Sequence, residues 1–474
     1  MRNCRPHRIV SCALALLSTI LITMMAGGCG GGGGSSTPPP PPPNTSSTQI
    51  RVGDASTDRV VAFQVTIGNI ILTPVGAGPS QQVQIPTNRL DLSHMAGKLE
   101  PVVIVNAPQG TYASAIVNIN NPIVTFLNGS GSLVTIPGGA SQSITVNFSP
   151  ALTIGTSPAI LNIDINAANT LTVDASGNVL GFNFSSSSFT ISTSPIVTES
   201  LQQDRTGEIE SVVGQVASVS GANFTLNGAQ GGSQLVFATD STTLFFGGLT
   251  NVASTANQIV RIDGTTRTDG TLLARRVEGV ESQTGSEMDG LITSVIGAPA
   301  TFLTIASQDG TGSGMDSSKI GAPFNVSVSG MTAGNYGVNQ GKMDFTGLAV
   351  PSTTFPFDAT TLRTGQRISI ESPGSVPLIN GTIPADKIKL EQQAITGVVS
   401  NFTAGTGGAA TFDLTLPTTS LLVGTLSPTV VHVFQQPGTD NRFGTISNTK
   451  TLRVRGLLFW TGSNFNIIAR RITP

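Results

Sequence analysis

Apolar and polar positions alternate along most of this chain with a period of two, the signature of strands rather than helices. Val61, Phe63, Val65 and Ile67 alternate with Ala62, Gln64 and Thr66. Ile144, Val146 and Phe148 alternate with Thr145 and Asn147, and Leu161, Ile163 and Ile165 with Asn162, Asp164 and Asn166. Turn pairs such as Asn128-Gly129 and Pro137-Gly138 punctuate these runs. No stretch sustains a helical repeat; residues 91–98 offer one short helical turn at most. The pattern predicts an antiparallel β-sandwich over residues 48–200.

The second half repeats itself. Gly214-Gln-Val216-Ala-Ser218-Val219, Gly290-Leu-Ile292-Thr-Ser294-Val295 and Gly397-Val-Val399-Ser-Asn401-Phe402 open three units, each followed by a Phe-containing strand. The closing halves also match: Ala274-Arg275-Arg276-Val277, Ala385-Asp386-Lys387-Ile388 and Ala469-Arg470-Arg471-Ile472. The middle unit carries about thirty extra residues, with residues 309–314 and the Gly-rich residues 330–341 inside that excess. Units of this length with five strands suit small OB-like barrels, whose opening Gly marks a bulge or sharp bend. The expected class is therefore all-β: a sandwich followed by three barrel repeats at 207–281, 287–392 and 394–474.

Composition sharpens this. Only 11% of the 474 residues are charged, against about 25% for an average soluble domain. Residues 101–163 carry no charge and no His, so strands there face solvent with Ser, Thr and Asn. A net charge of -2 with no dominant basic stripe argues against a nucleic-acid partner. Charge is nonetheless uneven. Residues 395–474 hold Arg442, Lys450, Arg453, Arg455, Arg470 and Arg471 against Asp413 and Asp440, while residues 207–281 hold four Arg against seven acids. Those six basic residues are the candidate patch for an anionic partner: lipopolysaccharide, an acidic glycan or the neighbouring acidic barrel. The competing reading is solvated strand charge that discourages edge pairing.

The N-terminus carries an export pattern. Arg2, Arg5 and Arg8 precede an uncharged stretch over residues 9–26, and Ala26-Gly27-Gly28 lead to Cys29. Small residues directly before a Cys resemble the lipobox of bacterial lipoproteins, which implies cleavage of residues 1–28 and lipid attachment at Cys29. The other cysteines, Cys4 and Cys12, lie before that point, so the mature chain has no internal disulfide and no Cys-based zinc site. Residue 30 is Gly, not Asp, so the lipoproteins' inner-membrane retention signal is absent and an outer-membrane location is expected. Gly and Pro runs within residues 29–47 form a linker.

Val52-Gly53-Asp54-Ala55 with Val60 to Ile67, then Leu90-Asp91-Leu92 and Ala107-Pro108-Gln109-Gly110-Thr111-Tyr112, resemble an uncharacterised domain found in bacterial lipoproteins. Asp269-Gly270-Thr271-Leu272-Leu273-Ala274 resembles the ending of a second uncharacterised module that often follows it. The resemblance implies architecture and envelope location but no activity.

Candidate chemistry is sparse. His94 and His432 fall in different units, and neither has a second His at metal spacing. No Gly-x-Ser-x-Gly elbow and no phosphate loop occurs. Asp54 and Asp58, and the runs 263–269 and 309–316, invite a cation reading, but turn capping by Asp explains them as well. Trp460, Tyr112 and Tyr336 sit in three different units and make no stacking platform. No catalytic residue, metal or cofactor is nominated. The expectation is a non-enzymatic, lipid-anchored envelope module that meets the membrane and an envelope glycan or protein; the alternatives are a polysaccharide-binding protein or a hydrolase acting on envelope polymers.

Overall fold

The computed structural model describes residues 43–473 apart from 55–58, 86–88, 94, 96–98, 177, 197–208, 229–233, 281–284, 313–316, 341–342, 374–380, 419 and 427–428. The signal segment, Cys29, Asp58, His94 and part of the 91–98 turn lie outside the described residues. The chain from Pro43 to Pro474 forms one compact unit, and it is all-β.

The N-terminal strands are β1 (Thr45–Asp54), β2 (Val60–Pro74), β3 (Gln81–Val83), β4 (Arg89–Asp91), β5 (Leu99–Pro108), β6 (Gly110–Leu127), β7 (Leu133–Ile136), β8 (Gln142–Ile154), β9 (Ala159–Ile165), β10 (Leu171–Val173), β11 (Val179–Phe182) and β12 (Phe189–Pro195). One sheet runs β12-β9-β1-β5; the other runs β3-β2-β6-β7, with β4 beside β2 and β8 beside β6. Ile50, Val52, Leu161 and Ile163 of the first sheet share one core with Phe63, Val65, Val117 and Val146 of the second, so the two sheets form a sandwich. It is not purely antiparallel: β1 and β9 run parallel. A parallel neighbour needs a long crossover, and here the chain between them builds the whole second sheet together with β5. A four-residue helix α1 (Ala167–Thr170) is capped by Asn166, whose side chain accepts from Asn169 N.

The alternation in β8 reads as expected, with Ile144 and Val146 buried and Thr145 and Asn147 exposed. In β2 it does not. Ala62, Gln64 and Thr66 are buried along with Val61, Phe63 and Val65. Strand β4 lies beside Gln64 and Thr66, with Arg89 Nε donating to Gln64 Oε1 at 3.1 Å, and the second barrel reaches the start of β2, where Gln308 Nε2 donates to Val61 O at 2.9 Å.

The first barrel comprises β13 (Ile209–Ser220), β14 (Asn223–Gly228), β15 (Gln234–Ala238), β16 (Leu244–Phe246), β17 (Ile259–Thr266) and β18 (Leu272–Gly279). Its main ring is β13-β14-β15-β18-β17 and back to β13, closed by the parallel β15–β18 pair. The second comprises β19 (Ser286–Ile296), β20 (Phe302–Gly312), β21 (Pro323–Ser327), β22 (Tyr336–Val338), β23 (Arg367–Ser372), β24 (Thr382–Pro384) and β25 (Lys387–Leu390). It follows the same order, with β24 pairing parallel to β21 and β25 antiparallel to β23, so its fifth strand is split in two. The third is a closed barrel of β26 (Gln392–Ala404), β27 (Ala410–Thr415), β28 (Val430–Asn441), β29 (Thr451–Trp460) and β30 (Phe465–Thr473), with a short helix α2 (Leu421–Leu426) between β27 and β28. All three share the order first-second-third-fifth-fourth.

The excess of the middle unit falls largely at residues 339–366, between β22 and β23, and only partly at the two Gly-rich runs. That insertion carries Phe355, whose ring meets Phe434 at 5.2 Å and Phe459 at 5.4 Å, both in the third barrel. A second shared cluster joins Val61 and Leu127 of the sandwich to Leu291 and Ala306 of the second barrel and Leu421 of α2.

Candidate functional site

The chemically distinctive region is not a surface cleft. It is the place where the barrels' outward faces meet. In a small barrel the apolar residues of each strand point in and the alternate residues point out. On β17, Val260 and Ile262 are core and Arg261 lies between them; on β19, Met288 is core between Glu287 and Asp289; on β25, Ile388 and Leu390 flank Lys389. These outward charges would be solvated in isolated barrels. Here they face another barrel.

Arg261, 4% exposed, sits at the centre. Its Nη1 donates to Glu391 Oε1 at 2.7 Å and its Nη2 to Ser369 Oγ at 3.2 Å. The same Nη2 donates to Glu287 Oε1 and lies 4.0 Å from Asp289. Glu391 is held further by Asn339 Nδ2 at 2.7 Å. Beside this group Lys389 Nζ bridges Glu371 at 2.9 Å and Glu278 at 3.2 Å, and Arg276 reaches Glu278 at 3.0 Å. Arg367 completes it, 3.6 Å from Asp289.

Burial raises Glu287 to about 7, helped by the charges of Asp289 and Glu371 and opposed by Arg261. Glu391 moves the other way: burial would raise it, but Arg261 and the Asn339 hydrogen bond outweigh that and lower it.

A second ionic junction centres on Glu210 of β13, in the first barrel. Arg455 Nη1 and Arg470 Nη2 each lie 3.2 Å from its carboxylate and Arg471 Nη2 lies 4.0 Å away. Arg471 Nε also pairs with Asp440 at 3.0 Å, as Arg442 Nε does at 2.8 Å. Of the six proposed patch residues, Arg455, Arg470 and Arg471 are therefore buried between barrels. Arg442 is tied to Asp440, the half-buried Arg453 exerts its charge on Asp164 of β9, and Lys450 is exposed. The acidic barrel is the anion these three arginines meet.

Other candidates resolve into local structure. Asp269 Oδ1 accepts from Thr271 N at 2.9 Å and Thr271 Oγ1 at 2.7 Å, a turn cap that holds its carboxyl below the usual range. Asp240–Thr242, Asp344–Thr346 and Asp358–Thr360 repeat that geometry. The β17–β18 turn around Asp269 borders an open recess of about 190 Å³ lined by Arg267, Arg275 and Thr266. Among the described residues no group of three His, Cys, Asp or Glu could hold a metal ion. One pairing escaped the sequence reading: His432 Nδ1 meets Asp413 Oδ1 across the β27–β28 ladder, and Asn401 Nδ2 donates to Asp413 Oδ2 at 2.7 Å. The signal was a cross-strand register that single-sequence reading does not supply.

No family model and no curated protein matches the chain. Among solved structures it is similar to one described as Drosophila Unr CSD456, at 10% identity over 56% of this chain and 96% of that one, with a TM-score of 0.13. It is also similar to a multidomain protein with nucleic acid binding domains from Streptococcus pneumoniae, at 11% identity over 56% of this chain and 73% of that one, with a TM-score of 0.11. At those scores the likeness assigns no function. The partner expectation is corrected all the same. The expected membrane, glycan and envelope-protein partners find no support in either match and are not carried forward, and neither is the exclusion of nucleic acid. The physical reason is that net charge was the wrong test: many of the charges it sums are buried at the junctions, so the sum describes no surface.

Proposed function

We propose that this chain is an exported, non-enzymatic structural module of the cell envelope in which a sandwich and three barrels act as one rigid body. The observation that carries the reading is the buried ionic contact between barrels: Arg261 of the first with Glu287 and Glu391 of the second, and Glu210 of the first with Arg455 and Arg470 of the third. Removing one partner from such a buried pair costs about 3–5 kcal/mol because the other charge is left uncompensated. Barrels on flexible linkers would keep their outward charges in water. Export rests on the N-terminal pattern, Arg2, Arg5 and Arg8 before an apolar stretch that ends at Cys29.

Two measurements test this. Small-angle scattering and calorimetry of residues 43–474 should give one compact particle and one cooperative unfolding transition; independent barrel transitions would refute the rigid body. Mass spectrometry of the mature chain should place its first residue at Cys29 and reads whether the thiol carries lipid; an intact Met1 would refute processing.

A further inference from the structure

We infer that the junction between the first and second barrels carries one exchangeable proton, seated on Glu287, so that barrel docking is linked to pH. This deepens the rigid-body reading and rests on it.

The geometry carries the inference. Four cations of the junction, Arg261, Arg276, Arg367 and Lys389, face five carboxylates, Glu278, Glu287, Asp289, Glu371 and Glu391. Two more acids flank them in register, each with partners of its own: Asp263 lies opposite Arg276 on the β17–β18 ladder, and Asp309 opposite Asp289 on β19–β20. Among the described groups of these pairs the carboxylates outnumber the cations by one, and a buried carboxylate oxygen with no partner in a dry interface either finds a cation or takes a proton. Glu287 is the position where the shortage is sharpest. It is 1% exposed, it lies directly opposite Glu371 on the β19–β23 ladder, and Asp289 is its next neighbour on the same face. Arg261 engages only its Oε1; its Oε2 is buried with no hydrogen-bond partner. A proton on Oε2 neutralises the group without disturbing Arg261, which keeps Glu391. Burial and the two neighbouring carboxylates raise its proton affinity, as the value of about 7 reflects.

The consequence has a definite sign. The folded-state value lies above the ordinary value of 4.5, so the folded chain binds a proton that the unfolded chain releases between those limits. The stability this supplies is complete below the ordinary value and is lost as pH rises through about 7. Above that, the junction holds a buried unbalanced charge and docking weakens.

The test follows the full chain through urea unfolding and infrared titration from pH 5 to 8.5. In the wild type, the folding equilibrium constant should fall by up to about tenfold per pH unit within the window, and a protonated-carboxyl band should disappear near neutrality. Glu287→Gln should lose the part of that band that titrates near 7 and flatten the pH dependence between about 7 and 8, above the midpoint of another buried carboxyl, Asp91, near 6. Where Glu287→Gln fails to fold, Glu371→Gln should move the wild-type band's titration to lower pH. An unchanged slope and band in Glu287→Gln, or an unmoved band in Glu371→Gln, overturns the proton assignment. Either result leaves the rigid body intact if unfolding remains one transition. Separate barrel transitions at every pH would instead overturn the rigid body.

Discussion

Gly214, Gly290 and Gly397 open the first strand of the three barrels, and none of them needs glycine for its φ angle. They need it for space. A Cβ on Gly214 would lie 2.1 Å from Asn227 O, and one on Gly290 or Gly397 would lie 2.8 Å from Ala306 O or Thr415 O. The fourth strands repeat the device, with Gly456 meeting Ile468 O at 2.0 Å and Gly264 meeting Leu273 O at 2.7 Å. These are points where a strand bends tightly onto its ladder partner, and bulges fall nearby, between Val216 and Ser218 and between Arg455 and Gly456. Alanine should therefore be costly in graded order: about 3 kcal/mol at Gly456 or Gly214 and about 1 kcal/mol at Gly290 or Gly397, read from denaturant midpoints. Equal costs at all four would show that the close approach is not the cause. A different residue-scale effect belongs to Asp91 of β4. Its Oδ1 accepts from Phe63 N at 2.7 Å and from Ser93 N at 3.1 Å, and burial raises it to about 6. Stability should fall as pH rises from 3.8 to about 6. Asp91→Asn, which keeps the Oδ1 acceptor, should remove that slope in a pH series of thermal melts.

At the scale of elements, the sequence was readable wherever a strand's two faces meet different environments. The three Gly-hydrophobic openings and the recurring Ala-Arg-Arg endings correspond to the first and fifth strands of the barrels, and the charge-free stretch to β6, β7 and β8 of the sandwich. Where a neighbouring element covers the second face, the pattern misled. Gln64 and Thr66 read as wet and are buried; Arg261 and Arg267 look alike in sequence, yet Arg261 is sealed between barrels while Arg267 makes an exposed pair with Asp240 at 3.1 Å. No period or spacing separates those two arginines; only the neighbouring barrel does. The insertion of the middle unit was likewise visible as length but not as purpose. Its Phe355, 1% exposed, fills the seam with the third barrel. Phe355→Ala should cost about 3–5 kcal/mol and should lower the stability of the second and third barrels together, seen as earlier hydrogen exchange in both β23 and β29. Loss confined to β23 would mean the insertion serves its own barrel alone.

For the whole molecule, the low charge content and the junctions are one fact. Of 50 charged side chains, at least 18 are buried among the described residues, and several exposed acids are spent on Asp-x-Thr turn caps. That leaves the surface to Ser, Thr and Asn, and puts the ionic interactions where solvent screening is weakest. Raising salt from about 0.1 to 1 M shortens the screening length from about 10 to 3 Å, which acts on exposed pairs such as Arg267–Asp240 and hardly on Glu210, enclosed by Arg455 and Arg470. The wild type should therefore keep its compact radius at both salt concentrations. Glu210→Gln removes the anion that three buried arginines share and leaves them facing one another. That variant should lose about 3–5 kcal/mol and scatter as a larger particle, because the first and third barrels separate while each stays folded on its own core of Phe224 and Leu226 or Phe412 and Leu414. A variant that unfolds outright, with no expanded folded state at either salt concentration, would place Glu210 in the folding of the first barrel rather than in its docking to the third.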